Sequence, residues 1–187
     1  MKRFFNHLKF HSLEKGGITC GDNALSPIFT VVNGRLTACA NVGEEVVIPT
    51  GVTEIAGHVF ANTPLRRVVF SKTVKKLDAD AFAFCCNLER VEFSTGLEKI
   101  GERAFLGCEK LSEITLPQSV VEIGKNAFSN CKNLQTVYIP KSVKKVGANL
   151  FLLCERLAIT CEVESRPLGW HRDWNEHEKP VAWGVKK

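Results

Sequence analysis

The chain has 187 residues, a formal charge of +5, and a composition that is 44% hydrophobic and 24% charged. That apolar content argues against wholesale disorder, and basic residues interleaved with acidic ones, as in KKLDAD and GERAFLGCEK, argue against the gathered basic face of a nucleic-acid binder. No run reaches the length of a membrane span, and the opening MKRFFNHLKFHSLEK holds no apolar segment of signal-peptide length.

On that opening alone the expected compartment is the cytoplasm. Residues 1–27 carry no repeat and read as an N-terminal extension. Within them Phe4, Phe5 and Leu8 could form a small apolar face. Residues 28–45 hold FTVVNGRLTACA, two β-prone runs around Asn33-Gly34. That dipeptide predicts a type I′ hairpin, because both central residues need positive φ. Laid against the end of a repeat array, the hairpin is expected to act as a cap.

Residues 46–157 then repeat one unit five times. The first copy, VVIPTGVTEIAGHVFANTPLRR, is the loosest. Phe82, Phe105, Phe128 and Phe151 recur 23 residues apart, and Cys85, Cys108, Cys131 and Cys154 keep the same interval. A fixed period of this length specifies a solenoid, in which each unit buries its apolar side only by stacking on its neighbours. Within a unit, Leu111, Ile114 and Leu116 alternate with Glu113 and Thr115, the periodicity of a strand, and Pro117 ends it. Gly124 then opens KNAFSNC, predicted as a short helical turn carrying Ala127, Phe128 and Cys131 inward. The opening position holds Ala56, Asp78, Gly101, Gly124 and Gly147 across the units. Ala would be strained at positive φ, so the column is read as a tightly packed helix cap and not as a left-handed residue.

Residues 158–187 leave the pattern and gather all three tryptophans, Trp170, Trp174 and Trp183. They are expected to close the open end of the core, with an aromatic sugar-binding platform as the rival reading.

The pattern Leu-x-x-Ile/Val-x-Ile-Pro followed by Val-x-x-Ile-Gly-x-x-Ala-Phe-x-x-Cys resembles the BspA-type leucine-rich repeat. It is matched by Leu111 to Pro117 with Val120 to Cys131, and by Leu134 to Pro140 with Val143 to Cys154. Ser71 and Ser94 replace the proline in two units, and Thr63 replaces the cysteine in the first. The resemblance implies an α/β, β-dominated, right-handed solenoid. A parallel sheet would line its concave face and short helical turns its convex face. It also implies a bacterial protein at the cell surface or secreted, the alternative to the cytoplasm.

The cysteine column is read as buried free thiols, because facing helical segments about 8–10 Å apart would exceed the Cα separation a disulfide needs. Cys86 is expected to face outward. His171 and His177 near Asp173 and Glu176, and His7 with His11, match no metal or acid–base spacing. No nucleophile elbow, phosphate loop or dinucleotide fingerprint occurs, so no enzyme, cofactor or metal is expected. The remaining candidates are outward strand positions in two columns: Glu45, Arg67, Arg90, Glu113, Thr136, and Val47, Val69, Glu92, Thr115, Tyr138. Interfaces favour Arg and Tyr anchors, which selects Arg67, Arg90 and Tyr138, flanked by Glu92 and Glu113, as the expected contacts for a protein partner. The expectation is a monomeric binding module, with a carbohydrate or cell-surface module, or an assembly element, as alternatives.

Overall fold

The structure, a computed structural model, describes residues 10–13, 17–20, 26–176 and 178–186, with side chains for the last two stretches. The face expected at Phe4, Phe5 and Leu8, and the side chains of His7, His11 and His177, lie outside the described residues. Strands β1 (Phe10–Leu13) and β2 (Gly17–Cys20) form an antiparallel pair. Strands β3 (Ile28–Val32) and β4 (Arg35–Ala40) form a second hairpin around Asn33 and Gly34, whose φ values of 49° and 78° are those a type I′ turn requires.

From there the chain winds through coils that each add one strand to two ladders. The first ladder contains β5 (Glu45–Val47), β7 (Arg67–Val69), β9 (Arg90–Glu92), β11 (Glu113–Thr115), β13 (Thr136–Ile139) and β15 (Ala158–Cys161). The second contains β6 (Glu54–Ile55), β8 (Lys76–Leu77), β10 (Lys99–Ile100), β12 (Glu122–Ile123) and β14 (Lys145–Val146). The second ladder is unbroken: with β3 and β4 it forms a seven-stranded sheet, parallel from β4 onward. The first ladder is two sheets, β5-β7-β9 and β11-β13-β15, the latter extended by β16 (Val181–Ala182).

The expected helical turns are absent: no helix occurs among the described residues. The reason lies in the backbone around each phenylalanine. The residues two before and two after it take positive φ: His58 and Asn62, Asp80 and Phe84, Arg103 and Gly107, Asn126 and Asn130, Asn149 and Leu153. A left-handed residue on either side prevents an α-helical run. It also aims alternate N–H groups along the solenoid axis. Asp80, Phe82 and Phe84 donate to the carbonyls of Glu102, Ala104 and Leu106 in the next coil, at 2.9, 2.8 and 2.6 Å. The turns thus form a hydrogen-bonded ladder of their own, which satisfies backbone groups that a helix would have paired internally.

That ladder sets how closely the coils approach. The stacked rings of Phe60, Phe82, Phe105, Phe128 and Phe151 have centroids 4.9, 5.2, 5.4 and 6.0 Å apart. The glycine column follows from the same spacing. A Cβ at Gly124 would lie 2.5 Å from the backbone nitrogen of Glu102, and one at Gly147 would lie 2.4 Å from that of Lys125. Neither glycine has positive φ. The column therefore answers to backbone contact, not to helix capping.

The core is one continuous cluster in which Phe82, Phe105, Phe128, Phe151, Cys85, Cys108, Cys131 and Cys154 are all buried. Separation is not what keeps the thiols apart, since the coils stack far closer than 8 Å. Each sulfhydryl instead donates to the phenylalanine carbonyl of the preceding coil: Cys85 to Phe60 at 3.0 Å, Cys108 to Phe82 at 3.4 Å, Cys131 to Phe105 at 3.3 Å and Cys154 to Phe128 at 3.1 Å. The seven cysteines whose side chains are described are free. Burial pushes the Cys108 and Cys131 thiols well up, Cys39 up to about 11 and Cys161 up to about 12, which suppresses the nucleophilic thiolate. Exposed Cys86 is expected to react alone among these seven when the native protein meets a maleimide at pH 7, with peptide mapping as the readout. Rapid native-state labelling of Cys108 or Cys131 would contradict this packing.

The expected caps are not separate structures. At one end the β3–β4 hairpin is the edge of the seven-stranded sheet itself, and at the other β16 extends the first ladder. Trp170 and Trp174 are 2% and 4% exposed and meet edge-to-face at 4.8 Å. Trp174 reaches Phe151 at 6.5 Å, so the tryptophans continue the aromatic row. Trp170 Nε1–H donates to the Val143 carbonyl at 3.1 Å.

Candidate functional site

Strand alternation turns Glu45, Arg67 and Arg90 outward in register, and Val47, Val69 and Glu92 likewise. Glu113 and Thr136, and Thr115 and Tyr138, are in register in the other sheet. The two columns expected to cross five coils are thus each cut in two between β9 and β11.

A cavity of about 480 Å³ spans the cut, lined by Glu44, Glu45, Arg66, Arg67, Glu89, Arg90, Ser112 and Glu113. Four of these, Glu44, Arg66, Glu89 and Ser112, form a column one residue ahead of the one read from the sequence. Taking only alternate strand positions passed over them, although they recur at the same interval.

The charges here are mostly spoken for. The Arg66 guanidinium lies 3.0 Å from Glu89 and 3.6 Å from Glu44. That of Arg67 lies 2.7 Å from Glu92 and 3.6 Å from Glu45. Hydrogen bonds donated to Glu89 and Glu92, reinforced by the charge of those carboxylates, raise both guanidinium pKa values. These are exposed pairs, so each adds little to stability. Their consequence is neutralisation: Arg67 and Glu92 cancel one another. Arg90 and Glu113 take part in no ion pair among the described residues, and both line the cavity at the cut.

Tyr138 does not serve as an exposed anchor. It is 9% exposed, it lies in register between Thr115 and Thr160, and its hydroxyl helps to stabilise the Glu162 carboxylate. Glu162 accepts from Gln118 Nε2 and from the Lys141 backbone N–H, both at 3.0 Å, with the Lys141 ammonium at 3.6 Å. The Gln118 bond leads these causes, and together they hold the carboxyl down to about 2 from an ordinary 4.5. A carboxylate with a depressed folded-state pKa stabilises the fold above its unfolded value, and that contribution is lost as pH falls. Melting temperature is therefore expected to fall between pH 4.5 and about 2, with a shallower slope in Glu162→Gln. Thermal melts across pH 2–6 would check this, and identical slopes for both proteins would refute it.

The tryptophans offer no platform for a sugar: two are buried, and Trp183 is partly buried and packs 6.1 Å from each of the others. His171 and Asp173 lie 3.8 Å apart on the surface, and no group of three metal-ligating side chains occurs among the described residues. No helix of the described residues is long and apolar enough to cross a membrane.

Comparison with known proteins bears on the fold. The sequence model of the BspA type leucine rich repeat region matches residues 36–158 in six copies. No curated protein sequence matches the chain. Among solved structures, the leucine rich repeat protein of T. pallidum is 29% identical over 82% of this chain and 68% of its own, with a TM-score of 0.66. A leucine rich cell surface protein from Faecalibacterium prausnitzii is 24% identical, with a TM-score of 0.66, over 86% of this chain and 41% of its own. The pneumococcal vaccine antigen PcpA is 22% identical with a TM-score of 0.72, over 83% of this chain and 40% of its own. These last two likenesses concern the fold alone, and this chain spans about two fifths of each of those structures.

Proposed function

Because the chain belongs to the BspA type leucine-rich repeat family, we propose that it is a non-catalytic module that binds a protein through the outward face of its first ladder. The observation that carries this reading is the couple Arg90 and Glu113, which form no ion pair among the described residues and line a cavity of about 480 Å³ in a row of otherwise paired charges. An unpaired Arg beside a cavity retains all its donors for a partner, and Arg is a frequent anchor of protein interfaces. Arg67 and Glu92 form the rim of this surface. Tyr138 is left out because it is covered. The module acts as a monomer at the cell surface or after secretion. Support for that location comes from the F. prausnitzii relative, described as a cell surface protein. The cytoplasmic expectation rested only on how the chain begins.

A photo-crosslinking residue in place of Ser112 tests the face. Incubated with a protein extract of the medium or tissue from which the source bacterium comes, it is expected to capture a protein. Reversing the couple, Arg90→Glu with Glu113→Arg, is expected to lower the yield at least tenfold. Equal capture from exposed Lys145 on the second ladder, or capture indifferent to the reversal, would overturn the reading.

A further inference from the structure

After the tryptophans the chain turns back onto the last coil and lays a lysine against it. Asn175 clamps the turn: its Nδ2 donates to the Lys179 carbonyl at 2.9 Å, and its Oδ1 accepts from the Lys179 N–H at 3.2 Å. The carbonyl of Pro180 then accepts from the Ile159 N–H at 2.8 Å. Lys179 is thereby held beside the final phenylalanine turn and is only 9% exposed.

A lysine buried this deeply ordinarily has a carboxylate partner. Lys179 takes part in no ion pair among the described residues. Its ammonium carries three donors, and one of them goes to the Glu176 carbonyl at 2.9 Å. Burial lowers its pKa and outweighs the opposing influence of Cys154 and Glu176.

Lys179 also lines a cavity of about 380 Å³, together with Leu153, Cys154 and Glu155. That volume is in the range of small-ligand sites. Leu153 is 52% exposed and has a φ of 61°. It occupies the position two after the phenylalanine, which holds Asn62 and Asn130 in other coils. Asparagine tolerates that backbone better than leucine does, so the backbone does not call for leucine here. Glu155 is the acid in the cavity wall; it is exposed and lies in range of the Lys132 ammonium. The cavity thus joins a buried cation to an exposed aliphatic side chain.

We propose that this cavity binds a small aliphatic carboxylic acid, with the carboxylate on Lys179 and the hydrocarbon chain on Leu153. The site is built from residues other than those of the first-ladder face and goes beyond the binding function assigned to that face. A carboxylate supplies the charged acceptors that Lys179 lacks among the described residues. An alkyl chain over Leu153 removes apolar surface from water. A neutral analogue of the same shape keeps the second gain and forfeits the first, and an inorganic anion does the reverse.

The test titrates hexanoate into the isotope-labelled full chain and follows the backbone amide resonances. Saturable shifts are expected at residues 153–155 and 176–179. Hexanamide, which has the chain without the charge, is expected to bind at least tenfold more weakly. Inorganic phosphate, which has charge without a chain, is expected to do the same. Lys179→Met keeps an unbranched stem and removes the charge, and is expected to weaken hexanoate binding at least tenfold. Leu153→Asn, which installs the residue found in this column at Asn62 and Asn130, is expected to weaken it at least threefold. If Lys179→Met does not fold, the comparison of hexanoate with hexanamide on the natural chain decides. No saturable shift, shifts confined to other residues, equal binding of hexanamide or phosphate, or unchanged affinity in Lys179→Met would overturn the site.

Discussion

Phe105→Ala is expected to lower the free energy of unfolding by about 3–5 kcal/mol, the cost of a buried phenylalanine cavity. The ring stands between Phe82 at 5.2 Å and Phe128 at 5.4 Å, with Phe93 edge-on at 5.8 Å. Truncation removes three ring contacts and weakens the interfaces of its coil with both neighbours. Stability in a stacked array is nearly a sum of coil and nearest-neighbour terms, so a weak interior interface also erodes cooperativity. Phe60→Ala is expected to cost less, because among the described residues Phe60 has a single ring neighbour, Phe82 at 4.9 Å. Urea denaturation followed by circular dichroism would compare them. A loss below about 1 kcal/mol for Phe105→Ala would mean that the row is not the source of the stability assigned to it.

Trp174→Ala is expected to cost about as much, 3–5 kcal/mol, but to act locally. Its ring contacts Phe151, Trp170 and Trp183 at 6.5, 4.8 and 6.1 Å, and its carbonyl accepts from the Leu150 N–H at 3.1 Å. Removing the ring opens the last coil of the core to water while the earlier coils keep both neighbours. Amide exchange should therefore accelerate at 136–161 well before it does at 54–100. Trp170→Phe isolates a different contribution, since it keeps an aromatic ring but leaves the Val143 carbonyl without its indole donor. That loss is expected to cost about 1–3 kcal/mol. Uniform acceleration along the whole chain in Trp174→Ala would refute local closure and indicate a single cooperative unit.

The register of the outward columns is legible in the sequence, and the burial and pairing of their side chains are not. The outward columns follow from strand alternation, and Glu45, Arg67 and Arg90 do stand in register. Which of them remains available does not follow from alternation. Arg67 is engaged by Glu45 and Glu92, whereas Arg90, one coil along, has no such partner among the described residues. Tyr138 looked like an anchor because tyrosine often is one, yet a ring in register with Thr115 and Thr160 and beside Glu162 is covered. Glu44, Arg66, Glu89 and Ser112 went unread because the strand pattern directs attention to every second residue, while the cavity wall uses adjacent ones.

The fold divides along the same line. By itself the sequence determined the solenoid, the length of its repeat and the identity of its core, because a repeated apolar pattern can be buried only by stacking copies. It also determined the hairpin at Asn33-Gly34, where a dipeptide suffices to set the backbone. Only the tertiary structure decided that the phenylalanine turns form an axial ladder and not helices. The hydrogen-bond partners of Asp80, Phe82 and Phe84 lie a whole coil away, so local propensity cannot register them. Tertiary structure also decided why the glycines recur, since a Cβ at Gly101, Gly124 or Gly147 would come within 2.5 Å of the preceding coil's backbone. The break between β9 and β11 belongs there too, since which neighbouring strands pair is expressed only when the coils are stacked.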